Sequence, residues 1–160
     1  MGEGERLLTK FEVELRGDYE NLAQNGYTIT SERTSEYNCV SFAIGREDEN
    51  WWPPVAGNLG KQYWPNDNPD LSVSNFVEIF RTLGFEDCDS SALEEQFEKI
   101  AIYEKSGRVM HVARQEPDGT WKSKLGTSED IQHNLAGLEG HYYGRVVLVL
   151  RRTRLGAGGA

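Results

Sequence analysis

Between two runs of alternating polarity, residues 109–115 and 120–125, stands Glu116-Pro117-Asp118-Gly119, and no other feature of the chain restricts its fold as much. Proline fixes φ near the value that position i+1 of a type I turn requires, and glycine enters the left-handed region without steric cost. A three-residue loop closed by Glu116 and Thr120 follows, joining the runs as an antiparallel hairpin with Ala113 facing Ser123. His111 and Ser123 then share one sheet face as diagonal neighbours. A two-residue turn at Asp118-Gly119 would instead bring Lys124 to that face, because a slip of one residue reverses every side chain. The proline and glycine positions favour the longer loop and Ser123.

The other elements group around this hairpin. Residues 99–104 (Lys-Ile-Ala-Ile-Tyr-Glu) read as a strand. Residues 145–151 read as a last strand, whose unbroken apolar run suits a central, buried position. Residues 5–15 read as a helix and residues 27–34 as an extended lead-in. Asn38 is placed to cap a helix that begins at Cys39 and stops at Gly45. From 72 to 83, Val73, Phe76, Val77, Phe80 and Leu83 recur at helical spacing, and Gly84 ends the run. Residues 127–138 read as a helix opened by a Thr127–Asp130 capping box. Helices first and an antiparallel sheet later place the chain in the α+β class.

At 160 residues, 38% apolar and 11% aromatic, the chain has the means for one packed domain over residues 1–155. Residues 156–160, glycine and alanine only, are expected to be a disordered tail. A formal charge of −9 excludes a nucleic-acid or anionic-membrane binder, since phosphate binding wants a basic face. No apolar run reaches membrane-spanning length, and the first residues, Met1-Gly2-Glu3-Gly4-Glu5-Arg6, lack the character of a signal peptide. A cytoplasmic location is the expectation, with Cys39 and Cys88 as free thiols rather than one disulfide.

Cys39 falls in the first turn of its helix, where unpaired N–H groups and the helix dipole favour a thiolate and can hold an oxyanion. A thiol nucleophile needs a proton acceptor. Of the three histidines only His111 lies in an expected strand, His133 falling on a helix and His141 in a glycine-flanked loop. No Cys or His pair has the short spacing of a metal site, so neither a metal nor a cofactor is expected. Cys88, in the acidic stretch Glu86-Asp87-Cys88-Asp89, reads as structural. Trp51-Trp52-Pro53-Pro54 and Tyr63-Trp64-Pro65 admit two compatible roles, packing over the core and walling a substrate cleft. Asn38, Trp51, Trp52 and Trp64 are the expected substrate-side residues.

The order helix-Cys, strand-His, following strand resembles the papain-like cysteine peptidases. More narrowly it is similar to their compact NlpC-type form, and to an uncharacterised group of small bacterial proteins related to that form. The segments that carry the resemblance are Tyr37-Asn38-Cys39-Val40-Ser41-Phe42-Ala43, His111-Val112-Ala113-Arg114-Gln115, and Trp121-Lys122-Ser123-Lys124-Leu125-Gly126 with Asp130-Ile131 and His133. It implies a papain-like α+β fold, its Cys-bearing helix packed on an antiparallel sheet. It also implies thiol chemistry on an amide or ester, by hydrolysis or acyl transfer, with a peptide or other amide-containing substrate. Cys39 would be the nucleophile, His111 the base, and a polar residue on the next strand the orienter of His111. Here the chain departs from the pattern: that strand offers Thr120, Ser123 and lysines. Ser123 is the favoured orienter, with Lys124, Asp130 and His133 as alternatives. A non-catalytic binding domain using the Trp/Pro loops is the competing reading.

Overall fold

The structure is a computed structural model that describes residues 10–31, 37–46, 49–54, 62–125 and 129–154. In chain order the elements are α1 (Lys10–Asp18), α2 (Leu22–Asn25), β1 (Tyr27–Ile29), α3 (Cys39–Ala43), β2 (Asn50–Trp51) and β3 (Gln62–Tyr63). Then come α4 (Val73–Thr82), β4 (Glu86–Cys88), β5 (Phe97–Lys105), β6 (Arg108–Gln115), β7 (Trp121–Lys124) and β8 (Asp130–His133). A 3-10 segment (Leu135–Leu138) and β9 (Arg145–Thr153) complete the set. Seven strands form one antiparallel sheet in the order β1-β8-β7-β6-β5-β9-β4, while β2 and β3 pair in parallel apart from it. The class is α+β.

The hairpin closes as its residues require. The Glu116 N–H donates to the Thr120 carbonyl at 2.7 Å and the Gly119 N–H to the Glu116 carbonyl at 2.9 Å, with Gly119 at φ 92°. Arg114 consequently faces Lys122 and Gln115 faces Trp121, the register of the three-residue loop. Lys124 belongs to the face opposite Ser123, its ammonium 5.4 Å from the centre of the Tyr37 ring.

The sheet buries both faces. On one, Ile100, Ile102, Val112 and Leu150 meet Val40 and Ala43 of α3, Phe76, Ile79 and Phe80 of α4, and the indoles of Trp51 and Trp64. On the other, Ala101, Tyr103, Ala113, Trp121 and Ile131 meet Leu15, Tyr19, Leu22 and Leu138. Each large apolar side chain so enclosed contributes roughly 1.5–3 kcal/mol. Two arginines then fasten helices to the sheet by their C-terminal carbonyls. Arg114 on β6 donates to Phe42 O at 3.0 Å, and Arg152 on β9 donates to Leu83 O at 3.0 Å. Positive charge at a helix C-terminus also complements its dipole. The α4 boundaries follow from its ends: the Ser72 hydroxyl accepts from the Asn75 N–H, and Gly84 takes φ 96° just past the C-cap.

Three sequence expectations change. Residues 127–138 are not a helix. Residues 130–133 form β8, paired with β7 on one side and β1 on the other, and Leu135–Leu138 is a separate 3-10 turn capped by Asn134. Ile131, Leu135 and Leu138 match helical spacing, but β7 and β1 take residues 130–133 between them as a paired strand, and that tertiary pairing overrides the local pattern. β9 is interior without being central. It lies next to the edge strand β4, and only its Leu150 is fully buried while Val147 is exposed. α1 runs on to Asp18; residues 5–9 and the tail 156–160 lie outside the described residues. Among the described residues no helix is long and apolar enough to cross a membrane.

Candidate active site

Asn38 builds the start of α3. Its Oδ1 accepts the Ser41 N–H at 3.1 Å while the Ser41 hydroxyl takes the Asn38 N–H at 2.9 Å, a reciprocal capping box. The same carboxamide reaches across to β2, donating to Trp51 O at 2.8 Å and accepting from Trp51 N–H at 3.1 Å. One side chain thus fixes both the helix start and the neighbouring strand, and Cys39 follows directly from it.

Cys39 is 7% exposed, at the wall of a cleft of about 370 Å³ lined also by Asn38, Trp52, Met110, Tyr142 and Tyr143. None of the described lining residues is charged. Burial pushes the Cys39 thiol up to about 11, against the opposing pull of the Val112, Val40 and Cys39 N–H groups and the Lys124 ammonium. This reverses the expected direction. α3 has only five residues, so its dipole is small, and desolvation of a buried anion outweighs it.

His111 stands on the other side of the sheet from α3. It pairs directly with Tyr103 across β5 and β6, and partners opposite each other share a face. It is fully buried, and the Tyr143 ring lies flat on it, centroids 4.2 Å apart and planes 7° from parallel. Among the described residues neither ring nitrogen of His111 has a hydrogen-bond partner, the Cys39 sulfur included. Burial, with His133 nearby, holds the imidazole well below its usual pKa, so it is neutral near pH 7. The expected pair is therefore close to one cleft but not joined.

Ser123 does not orient His111. It shares the expected face, yet its hydroxyl stands 2.7 Å from His133 Nε2, on the neighbouring strand β8. Asp130 is not the cap of a helix either; its carboxylate accepts from the Tyr37 hydroxyl at 2.9 Å. Of the residues expected to touch substrate, Trp52 lines the cleft, and Asn38 lines it with its carboxamide engaged in the cap. Trp51 and Trp64 are core residues, 2% and 9% exposed, because Trp64 packs on Phe76 of α4 and Trp51 packs on Trp64 and Tyr63. Arg114 holds Phe42 O and Gln115 holds Ser91 O, so both serve the fold.

Tyr142 and Tyr143 were not anticipated as site residues. They sit in a tight loop closed by paired backbone hydrogen bonds between Gly140 and Gly144, both 2.9 Å. Gly144 has φ 81°, and a Cβ there would lie 1.9 Å from the Glu104 carbonyl oxygen. The signal in the sequence is an aromatic pair between two glycines, Gly140-His141-Tyr142-Tyr143-Gly144.

A family model, described as a domain of unknown function (DUF7689), matches residues 28–151. The chain belongs to that family. No curated protein and no solved structure matches it. The DUF7689 match takes in Cys39, His111, Ser123, His133 and Tyr143, and leaves out α1, α2 and Tyr19. Within this DUF7689 chain both cysteines are free thiols. Among the described residues no three His, Cys, Asp or Glu side chains gather to hold a metal. What the DUF7689 cleft offers chemically is a neutral thiol in an uncharged, aromatic-walled recess, with backbone N–H groups facing the sulfur and a neutral imidazole behind one wall.

Proposed function

We propose that this domain is a thiol-dependent hydrolase or acyltransferase of papain-like, NlpC type, acting on an amide or ester. The observation that carries the reading is the placement of Cys39 at the cleft wall and at the capped start of α3, beside the N–H groups of its first turn. Such groups stabilise negative charge as it develops on sulfur or on an attacked carbonyl oxygen. His111 is uncharged, and because burial opposes its protonation, contact with the cleft has to relieve that burial before it takes the thiol proton. In the proposed step the thiol proton passes to the imidazole as sulfur bonds to the carbonyl carbon. The leaving amine or alcohol departs with that proton as its bond to carbon breaks. Water or another nucleophile then releases the acyl group from the thioester. The uncharged lining suits an uncharged acyl portion.

Acyl transfer from p-nitrophenyl acetate, mapped by peptide mass spectrometry, tests this. Acylation of Cys39 should depend on His111, and that of Cys88, the more exposed of the two thiols, should not. His111→Ala should slow Cys39 and leave Cys88 unchanged. Acylation of Cys39 unaltered by His111→Ala would falsify the proposal.

A second reading, a binding domain that performs no chemistry, is favoured by one specific observation: His111 makes no hydrogen bond to Cys39. On that reading the cleft would take a ligand beside Trp52, and the acylation experiment would show no dependence on His111.

A further inference from the structure

His111 is fully buried with both ring nitrogens unpartnered among the described residues, an arrangement native interiors rarely keep without a use for it. One of its faces carries the Tyr143 ring at 4.2 Å, and Tyr103 lies tilted beside it at 5.5 Å. Tyr143 lines the same cleft as Cys39, and His111 does not. The phenol is held by the Tyr19 hydroxyl, 3.1 Å from its own, and by a loop whose ends are bonded to each other at Gly140 and Gly144. The ring that separates the imidazole from the cleft thus belongs to a short loop rather than to a strand of the sheet.

We propose that Tyr143 is a removable cover over His111, whose departure from the ring face opens the imidazole to the cleft that Cys39 lines. This rests on the reading of Cys39 and His111 as a catalytic pair. Tyr143 is then a gating residue: it takes no proton and forms no bond to substrate, and it decides which ligands bring the two groups together. A ligand that fills the cleft without displacing the ring binds and is not processed. Tyr19, outside the span of the family match, is the latch on that cover.

Carbethoxylation of histidine by diethyl pyrocarbonate, resolved by peptide mapping, reads the cover directly and is independent of any acyl transfer to Cys39. His141, an exposed side chain, is the reference. In the wild-type protein His111 should react at least tenfold more slowly than His141. Tyr143→Ala should raise the His111 rate at least tenfold. Tyr143→Phe, which keeps the ring, should raise it much less, and Tyr19→Phe, which removes the latch, severalfold. Wild-type His111 labelled as fast as His141, or His111 still protected in folded Tyr143→Ala, overturns the proposal. Should Tyr143→Ala not fold, Tyr19→Phe decides, and an unchanged rate there overturns it. If labelling follows the cover while Cys39 acylation ignores His111, the gate stands and the catalytic reading falls; the reverse result separates them the other way.

Discussion

Ser123 Oγ lies 2.7 Å from His133 Nε2, and His133 Nδ1 lies 2.7 Å from the carbonyl oxygen of Asn134. A carbonyl only accepts, so Nδ1 carries the ring proton and Nε2 accepts the serine O–H. Both side chains are buried, and burial holds His133 down at about 4, keeping it neutral in that tautomer. Ser123→Ala leaves a buried acceptor without a donor. We expect urea denaturation to show a loss of about 1–3 kcal/mol. Cys39 acylation should be unchanged in the folded variant, because Ser123 serves His133 and not His111.

Stability should fall on mild acidification, before most carboxylates titrate. Both His111 and His133 have folded-state pKa values below the ordinary 6.5, His111 well below and His133 at about 4. Below pH 6.5 the unfolded chain binds protons at these two sites and the folded chain does not, so acid favours unfolding. The loss for His133 is complete near pH 4, and for His111 it continues lower. Each histidine adds about 1.4 kcal/mol per pH unit inside its window. Urea midpoints from pH 7 to 4.5 measure this. His111→Phe, which keeps a ring against Tyr143, should flatten the slope by roughly half.

The Cys39 thiol should be slow toward iodoacetamide at neutral pH, slower than Cys88. A thiol pushed up to about 11 has little thiolate at pH 7, and its rate should climb about tenfold per pH unit on approach to that value. Peptide-mapped alkylation between pH 7 and 10 checks it. A plateau below pH 8 would show a stabilised thiolate instead.

Asn38→Ala removes the helix cap and two bonds to Trp51 together. The cap alone is worth about 1 kcal/mol and up to about 2. Hydrogen exchange should quicken at the Trp51 and Ser41 amides in particular, since both donate to the Asn38 carboxamide. Equal change across all amides would indicate global destabilisation rather than a local clamp.

Local chemistry made much of this fold readable. Pro117 and Gly119 set the hairpin register, and Asn38, Ser72, Gly45 and Gly84 marked the limits of α3 and α4, because caps and turns depend on residues within one turn of themselves. The stretch from Thr127 to Leu138 misled for the opposite reason. Its helical spacing is real, but pairing with β7 and β1 decides its state, and β1 lies about a hundred residues away. Cys39 was placed correctly at the start of its helix, whereas its pKa depends on burial by partners remote in sequence. That Ser123 reaches His133, and that Tyr143 covers His111, follows from sheet order and loop closure, neither of which local spacing encodes.

Gly144 has a consequence beyond its own loop. It touches the Glu104 carbonyl where β5 slips register against β6, and no side chain fits there. The Tyr143 ring is therefore positioned by backbone on a distant strand through a residue with nothing to substitute. A side chain at position 144 would push the loop off that carbonyl, and the covering ring would lose its seat on His111 with it.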